Sequence, residues 1–169
     1  PVNLYGATKL TSDKLFIAAN NFKGKNKVIF SVVRYGNVMG SRGSVIPLVI
    51  KNIKNKKFNL THEKMTRFNI TLRESVNFVT DCLKNMKGSE IFIPKLPSYK
   101  VTDLIKSISK EINIKITGIR PGEKLHEEMI SSSESLNTVE FKNFYIILPS
   151  YVFENKKNLK KYLDYSKNR

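Results

Sequence analysis

The chain has 169 residues, 40% of them hydrophobic, and carries 30 Lys and Arg against 14 Asp and Glu, a formal net charge of +16. That length supports one hydrophobic core, as one domain or a large part of one; with no run of about 18 apolar residues to cross a bilayer and no basic-then-apolar leader, the chain reads as soluble and cytoplasmic, without a membrane partner. A single cysteine, Cys82, excludes a disulfide framework and a thiolate zinc site, and two imidazoles, His62 and His126, argue against a catalytic metal.

Residues 6 to about 22 carry Leu10, Leu15, Ala18, Ala19 and Phe22 at near-helical spacing, which predicts a helix closed by the turn KGK. VIFSVV at 28–33 is a β-branched run of the kind buried on both faces of a parallel sheet. RYGNVMGSRGS follows, with glycines at 36, 40 and 43 that predict an irregular loop at the C-terminal end of that strand, the edge where open α/β sheets bind ligands. VIPLVIKNI predicts a short helix and KFNL a brief strand.

Thr71 and Glu74 have capping-box spacing ahead of Val76, Val79, Leu83 and Met86, with Gly88 placed to end the helix. EIFIP predicts a strand, VTDLIKSISKEI a helix opened by Thr102, IKITGI a strand, RPGEKLHEEMI a further helix with Pro121 in its first turn, and FYIILP a late strand. A Lys-rich tail runs from about 154. Strands alternating with helices predict the α/β class. Cys82, Met39, Met65 and Met129 are expected to be packing residues, and His126 to sit on the helix that RPGE opens.

The excess of positive charge raises the question of a polyanion. Lysines are spread through FKGKNKV, KNIKNKKF and ENKKNLKKY among many Asn and Ile, as in a chain-wide compositional bias, and no recognition-helix, zinc-finger or aromatic-basic signature accompanies them. Nucleic acid is therefore not an expected partner. A basic, non-enzymatic polyanion-binding module stays open as an alternative resting on charge alone.

Tyr5 and Lys9, four apart in a helical first turn, share one helix face. A free phenol has a pKa of about 10, so it serves as a base near neutrality only where a cation stabilises its phenolate. A lysine one turn away supplies such a cation; a plain surface pair is the other reading. Likewise Arg67 reads alone as a surface arginine, Asn37 as a turn residue and Glu123 as a charge at a helix start.

PVNLYGATKLTSDKL, RYGNVMGSRGSVIP, MTRFNITLRESVNFV and GIRPGEKLHEEMIS, taken in that order over roughly residues 1–150, resemble successive motifs of the extended short-chain dehydrogenase/reductases. More narrowly, they resemble the inverting UDP-N-acetylglucosamine 4,6-dehydratases of the polysaccharide-biosynthesis branch. The resemblance implies that Tyr5 and Lys9 are catalytic and contact an NADP cofactor, the Tyr taking the proton of the sugar's 4-hydroxyl. It implies that Asn37 hydrogen-bonds the nucleotide-sugar, that Arg67 and Arg120 face the UDP diphosphate with Arg42 as a further phosphate candidate, that Glu123 takes a uridine ribose hydroxyl, and that GSVIP at 43–47, Val45 within it, supplies small and apolar contacts on the uracil side. Guanidinium forks suit phosphate oxygens and a carboxylate suits paired hydroxyls.

The implied reaction is net dehydration with inversion at carbon 5, giving a 4-keto-6-deoxy sugar for pseudaminic acid and related bacterial surface sugars, as in flagellin glycosylation. A UDP-sugar 4-epimerase of the same superfamily is the alternative. Long membrane-bound relatives carry Met where this chain has Tyr5, so YGATK fits the short, soluble branch, whose members form homo-oligomers. The family's glycine-rich dinucleotide fingerprint and its Asp-Lys elimination pair lie N-terminal to the Tyr. The expectation is therefore a C-terminal part of an extended Rossmann-like fold over 1–169: the catalytic helix, the last Rossmann strands and the nucleotide-sugar-binding subdomain, without the N-terminal dinucleotide-binding half. On that expectation, the 169 residues alone yield no keto-sugar from UDP-N-acetylglucosamine and NADP+; keto-sugar detected by NMR in that incubation would refute it.

Overall fold

A computed structural model of the protein describes residues 1–153, 159, 160 and 162; the rest of the Lys-rich tail lies outside the described residues. In chain order the elements are α1 (Leu4–Phe22), β1 (Val32–Val33), β2 (Asn37–Val38), α2 (Val45–Asn52) with a 3-10 turn over Ile53–Asn55, β3 (Lys57–Leu60), β4 (Thr66–Ile70) and α3 (Leu72–Asn85). They continue with β5 (Ile91–Pro94), β6 (Ser98–Lys100), α4 (Val101–Ile108), β7 (Asn113–Ile116), α5 (Ser132–Ser135), β8 (Thr138–Glu140), β9 (Phe144–Ile147) and α6 (Ser150–Phe153). Two compact units result, one of Pro1–Leu4, Gly36–Val76 and Leu96–Glu128, the other of Tyr5–Tyr35, Asn77–Lys95 and the chain from Met129 onward. No helix among the described residues is long and apolar enough to cross a membrane.

The unit containing Gly36–Val76 is organised by β4, which pairs in parallel with β2 and antiparallel with β6. A separate parallel pair joins β3 to β7. Its core is Val49, Leu60, Met65, Val101, Ile105 and Ile112, so α2 and α4 each bury one apolar face. Strand β2 can lie against β4 because Gly36 has no side chain: a Cβ there would stand 2.7 Å from Cβ of Phe68.

The other unit holds a four-stranded sheet in the order β1-β5-β9-β8, parallel between β1 and β5 and antiparallel elsewhere. All of β5 is buried. Cys82, Phe92, Ile146, Leu148 and Val152 pack one face and Ile91, Ile93 and Ile147 the other, where Met129 joins them. Glu90 is fully buried, and its carboxylate accepts from the backbone N–H of Lys87 and Gly88 and from the Ser31 hydroxyl, fastening the turn after α3 to the residue before β1.

Several sequence expectations are corrected. The strand read at 28–33 is reduced to Val32–Val33, and Val28 and Ile29 are exposed. Asn20 of α1 bonds the backbone there, accepting from the Phe30 N–H and donating to the Phe30 carbonyl, which also accepts from the Ser89 N–H. The loop after it is not wholly irregular, since Asn37–Val38 pairs with β4. The helix at 101 ends at Ile108 rather than 112, which lets Ile112 enter the core and Asn113 donate to Lys56. Its N-cap position is Lys100, not Thr102, and no side chain caps it.

RPGEKLHEEMI is not a helix. Gly122 takes φ of +77°, the 120s chain runs beside β4, and Thr66 donates its N–H to the carbonyl of Leu125. His126 accordingly lies on this extended segment. Met39 is exposed rather than packed, whereas Met65 and Cys82 are buried as expected. Strands β4, β6 and β8 carry no counterpart among the predicted elements.

The capping box at Thr71 is present: Glu74 accepts from the Thr71 N–H, and its own N–H donates to the Thr71 hydroxyl. Beyond it, Val76, Val79 and Leu83 face outward, and α3 buries Ser75 and Cys82 instead.

Helix α1 is tied to its sheet by Arg34, which donates to Asp13 (2.8 Å), to both carboxylate oxygens of Glu134 (3.1 Å) and to the carbonyl of Met129 (2.6 Å). Glu134 also closes a capping box with Ser131 at the start of α5. Burial pushes the Glu134 carboxyl up, but the bonds from Arg34 and Ser131 outweigh it and hold it at about 2, below its ordinary 4.5. A depressed carboxyl contributes stability that is complete above about pH 4.5 and is lost as pH falls toward 2. Urea unfolding followed between those pH values is expected to show a falling midpoint in the wild type and a flatter profile in Glu134→Gln.

Candidate functional site

The residues singled out in the sequence divide between the two units. Tyr5 and Lys9 stand on the first turns of α1, and the Lys9 ammonium lies 5.4 Å from the centroid of the Tyr5 ring. They therefore share a face as their spacing predicts. Tyr5 is 73% exposed, so its hydroxyl is presented to solvent beside a cation.

Asn37, Val45 and Arg67 come together in the unit organised by β4. With Ser44, Asn69 and Tyr99 they line one cleft of about 190 Å³. The backbone explains the convergence. Asn37 of β2 is the register partner of Asn69 of β4, and Arg67 that of Tyr99 of β6. Arg67 and Asn69, two apart on one strand, share a face. Ser44 closes the glycine-rich turn as the N-cap residue of α2, so the positive end of that helix dipole meets the cleft. Its Oγ is buried without a hydrogen-bond partner.

The chemistry of this lining is one-sided. No Asp or Glu is among the residues lining the cleft. The Asn37, Asn69 and Tyr99 side chains make no hydrogen bond to any described residue, so their polar groups are open to a ligand. Arg67 is differently placed: its guanidinium donates to the carbonyls of Thr66 (2.7 Å), Leu125 (3.2 Å) and Lys124 (3.2 Å), with Glu127 3.7 Å from Nε. It brings positive charge to the cleft wall while locking the 120s chain to β4. Burial raises the pKa of Tyr99 and Arg67 opposes that rise in part, so the phenol stays protonated near neutrality and acts as a donor.

Arg120 and Glu123 form a turn of their own. Glu123 accepts from the Arg120 N–H (3.2 Å) and from the Thr61 hydroxyl (3.1 Å), and its N–H donates to the Arg120 carbonyl. Both carboxylate oxygens are thus occupied within the protein. Asn3 braces the turn by donating to the Gly122 carbonyl at 2.7 Å. The Arg120 side chain is exposed and makes no hydrogen bond or ion pair to a described residue, and Arg42 is exposed in the turn Ser41–Ser44. Neither lines the cleft.

Tyr99, Asn69 and the brace Asn3 were not reached from sequence. A signal existed for Asn69: R-F-N-I alternates polar and apolar residues, the pattern of a half-buried strand. Tyr99 had none, because strand pairing brings it in.

Residues 1–149 match the family model described as polysaccharide biosynthesis protein. The chain belongs to that family. It is 55% identical over 160 residues, covering 94% of this chain and 48% of the relative, to a UDP-N-acetylglucosamine 4,6-dehydratase (inverting) of Campylobacter jejuni. It is 39% identical over 152 residues to a UDP-glucose 4-epimerase of Rickettsia bellii, covering 87% of this chain and 45% of that one. The solved structure of Pen from Bacillus thuringiensis superposes with a TM-score of 0.82 at 43% identity, over 89% of this chain and 49% of that one. A dTDP-glucose 4,6-dehydratase from Streptomyces venezuelae shares the fold alone, with a TM-score of 0.63 at 16% identity over 79% of this chain and 44% of that one. The fold is thus that of the extended short-chain dehydrogenase/reductases, in the α/β class. The chain spans about half the length of the curated relatives it matches.

Two arginines of this family member differ in their dependence on the fold. Arg67→Lys removes the planar fork that bridges the part-buried carbonyls of Thr66, Lys124 and Leu125, and is expected to cost about 1–3 kcal/mol in urea unfolding. Arg120→Ala removes a side chain without partners and is expected to stay within about 0.5 kcal/mol of wild type.

Proposed function

We propose that this chain carries the catalytic helix and the nucleotide-sugar cleft of an inverting UDP-N-acetylglucosamine 4,6-dehydratase. The observation that carries the proposal is the cleft of the β4 unit: donors from Asn37, Asn69 and Tyr99, an orphaned hydroxyl at a helix N-terminus and the charge of Arg67, with no carboxylate in its lining. Such a lining suits an anionic ligand rich in acceptor oxygens. The name and identity of the Campylobacter relative supply the substrate.

In this reading the unit with Gly36–Val76 is the nucleotide-sugar-binding part and the unit with α1 and β1 the Rossmann part. Asn37 hydrogen-bonds the nucleotide-sugar, Val45 lies on the uracil side, and Arg67, Arg120 and Arg42 face the diphosphate. Glu123 takes a ribose hydroxyl by exchanging its bond to Thr61.

Tyr5 and Lys9 fit a nicotinamide cofactor by their chemistry, a solvent-facing phenol beside an ammonium that can hold ribose hydroxyls. The cofactor, NADP in this reading, would accept hydride from carbon 4 of the sugar and return it to carbon 6 when bound. Tyr5 as phenolate takes the proton of the 4-hydroxyl while carbon 4 becomes a ketone. Lys9 stabilises that phenolate and orients the ribose. The ketone acidifies the carbon 5 proton, water leaves across carbons 5 and 6, and reprotonation of carbon 5 from the opposite face sets the inversion. The overall balance is substrate to 4-keto-6-deoxy product plus water, without net redox.

The place of this reaction is the first step toward pseudaminic acid or related bacterial surface sugars, including those of flagellin glycosylation, in a cytoplasmic homo-oligomer. An epimerase of the same superfamily would share Tyr5, Lys9 and the cleft, and the Rickettsia bellii relative at 39% identity is named a UDP-glucose 4-epimerase. The two readings part at the product. Incubation of the full-length protein with UDP-N-acetylglucosamine and NADP+ is expected to give, by NMR, a carbon 6 methyl and a carbon 4 ketone with inverted carbon 5. A product altered only at carbon 4 would establish the epimerase instead. Tyr5→Phe is expected to lower kcat by about 10²–10⁴-fold with a smaller change in KM.

A further inference from the structure

We propose that Tyr99, a residue no sequence motif marks, donates its phenolic hydroxyl to a phosphate oxygen of the nucleoside diphosphate held in the β4 cleft. The inference rests on the proposed binding of a UDP-sugar there and adds a residue to it.

Placement comes from the strands. Tyr99 sits on β6 directly across from Arg67, and both line the cleft with Asn37 and Asn69. The register is antiparallel and the two residues are directly opposite, so their side chains project to the same side of the sheet. The Arg67 charge reaches the phenol strongly enough to oppose the effect of burial on it. Any anionic oxygen drawn toward Arg67 therefore comes close to the Tyr99 hydroxyl.

Availability separates the two. Arg67 already spends three N–H groups on the carbonyls of Thr66, Lys124 and Leu125, so its fork is only partly free for a ligand. The Tyr99 hydroxyl makes no hydrogen bond to any described residue although the ring is half-buried. A half-buried phenol without a partner is a donor held ready, since leaving it unpaired in the filled cleft costs free energy that a ligand oxygen recovers. Its protonated form can donate to an anion, and an amide such as Asn69 cannot replace it opposite Arg67. The division of labour follows: Arg67 supplies fixed charge and structure, and Tyr99 supplies the movable hydrogen bond.

The test measures UDP and uridine binding to the full-length protein and to Tyr99→Phe, which keeps the ring and removes only the hydroxyl. Isothermal titration calorimetry reads both titrations. Loss of a hydrogen bond to a charged group predicts UDP binding weaker by roughly 10-fold or more in Tyr99→Phe, with uridine binding unchanged. Equal UDP affinity in the two proteins would overturn the role of Tyr99 and leave the UDP-sugar reading standing. Equal weakening of UDP and uridine would also overturn it, because the hydroxyl would then serve the nucleoside. A wild-type protein that binds no UDP would overturn both.

Discussion

The backbone pairing of strand β4 is the constraint on which the cleft depends. Five residues long, it holds β2 on one side, β6 on the other and the 120s chain at its start, where Thr66 bonds to Leu125 and to His126 (Thr66 Oγ1 to His126 Nδ1, 2.7 Å). Each of these segments is short, and none would be stable as a strand by itself. Held in register they bring Asn37, Arg67, Asn69 and Tyr99 to one lining. The close approach that permits this is a single missing side chain, at Gly36.

Arg67 joins the site to the scaffold. In its unit the guanidinium ties the 120s chain to β4 through main-chain carbonyls and at the same time brings positive charge to the cleft wall. A substitution there disturbs structure and binding together, so a loss of activity at Arg67 alone says little about chemistry. Residues whose side chains make no hydrogen bond or ion pair to a described residue, such as Tyr99 and Arg120, report on binding more cleanly. The same logic separates Glu123, whose carboxylate is occupied by Thr61 and the Arg120 N–H, from a carboxylate poised only for a ligand.

The second unit is held by buried polar clamps rather than by apolar packing alone. Glu90, fully buried, is satisfied by backbone N–H groups and Ser31, and Arg34 gathers Asp13, Glu134 and the Met129 carbonyl. Charges removed from water are tolerated only with such partners. The bond from Arg34 to Asp13 and the bonds between Asn20 and the Phe30 backbone fix α1, the helix that presents Tyr5 and Lys9. The outward apolar positions of α3, Val76, Val79 and Leu83, are exposed.

What the residues determined by themselves was local chemistry and local periodicity. The helix bearing Tyr5 and Lys9, their shared face, the capping box at Thr71 and Glu74, the strand KFNL and the buried strand around Ile91 all follow from neighbours within a few positions, where propensity and spacing act directly. The order of four motifs was enough to place the chain in its family. Tertiary structure alone decided the rest. RPGEKLHEEMI has the composition of a helix start, but bonds to Thr66 and Arg67, distant in sequence, draw it out as an extended segment, and at 28–33 only Val32–Val33 pairs as a strand while the Phe30 N–H donates to the Asn20 side chain. Tyr99 entered the cleft only because β6 pairs with β4 in one register, and pairing between segments some thirty residues apart leaves no local pattern to read.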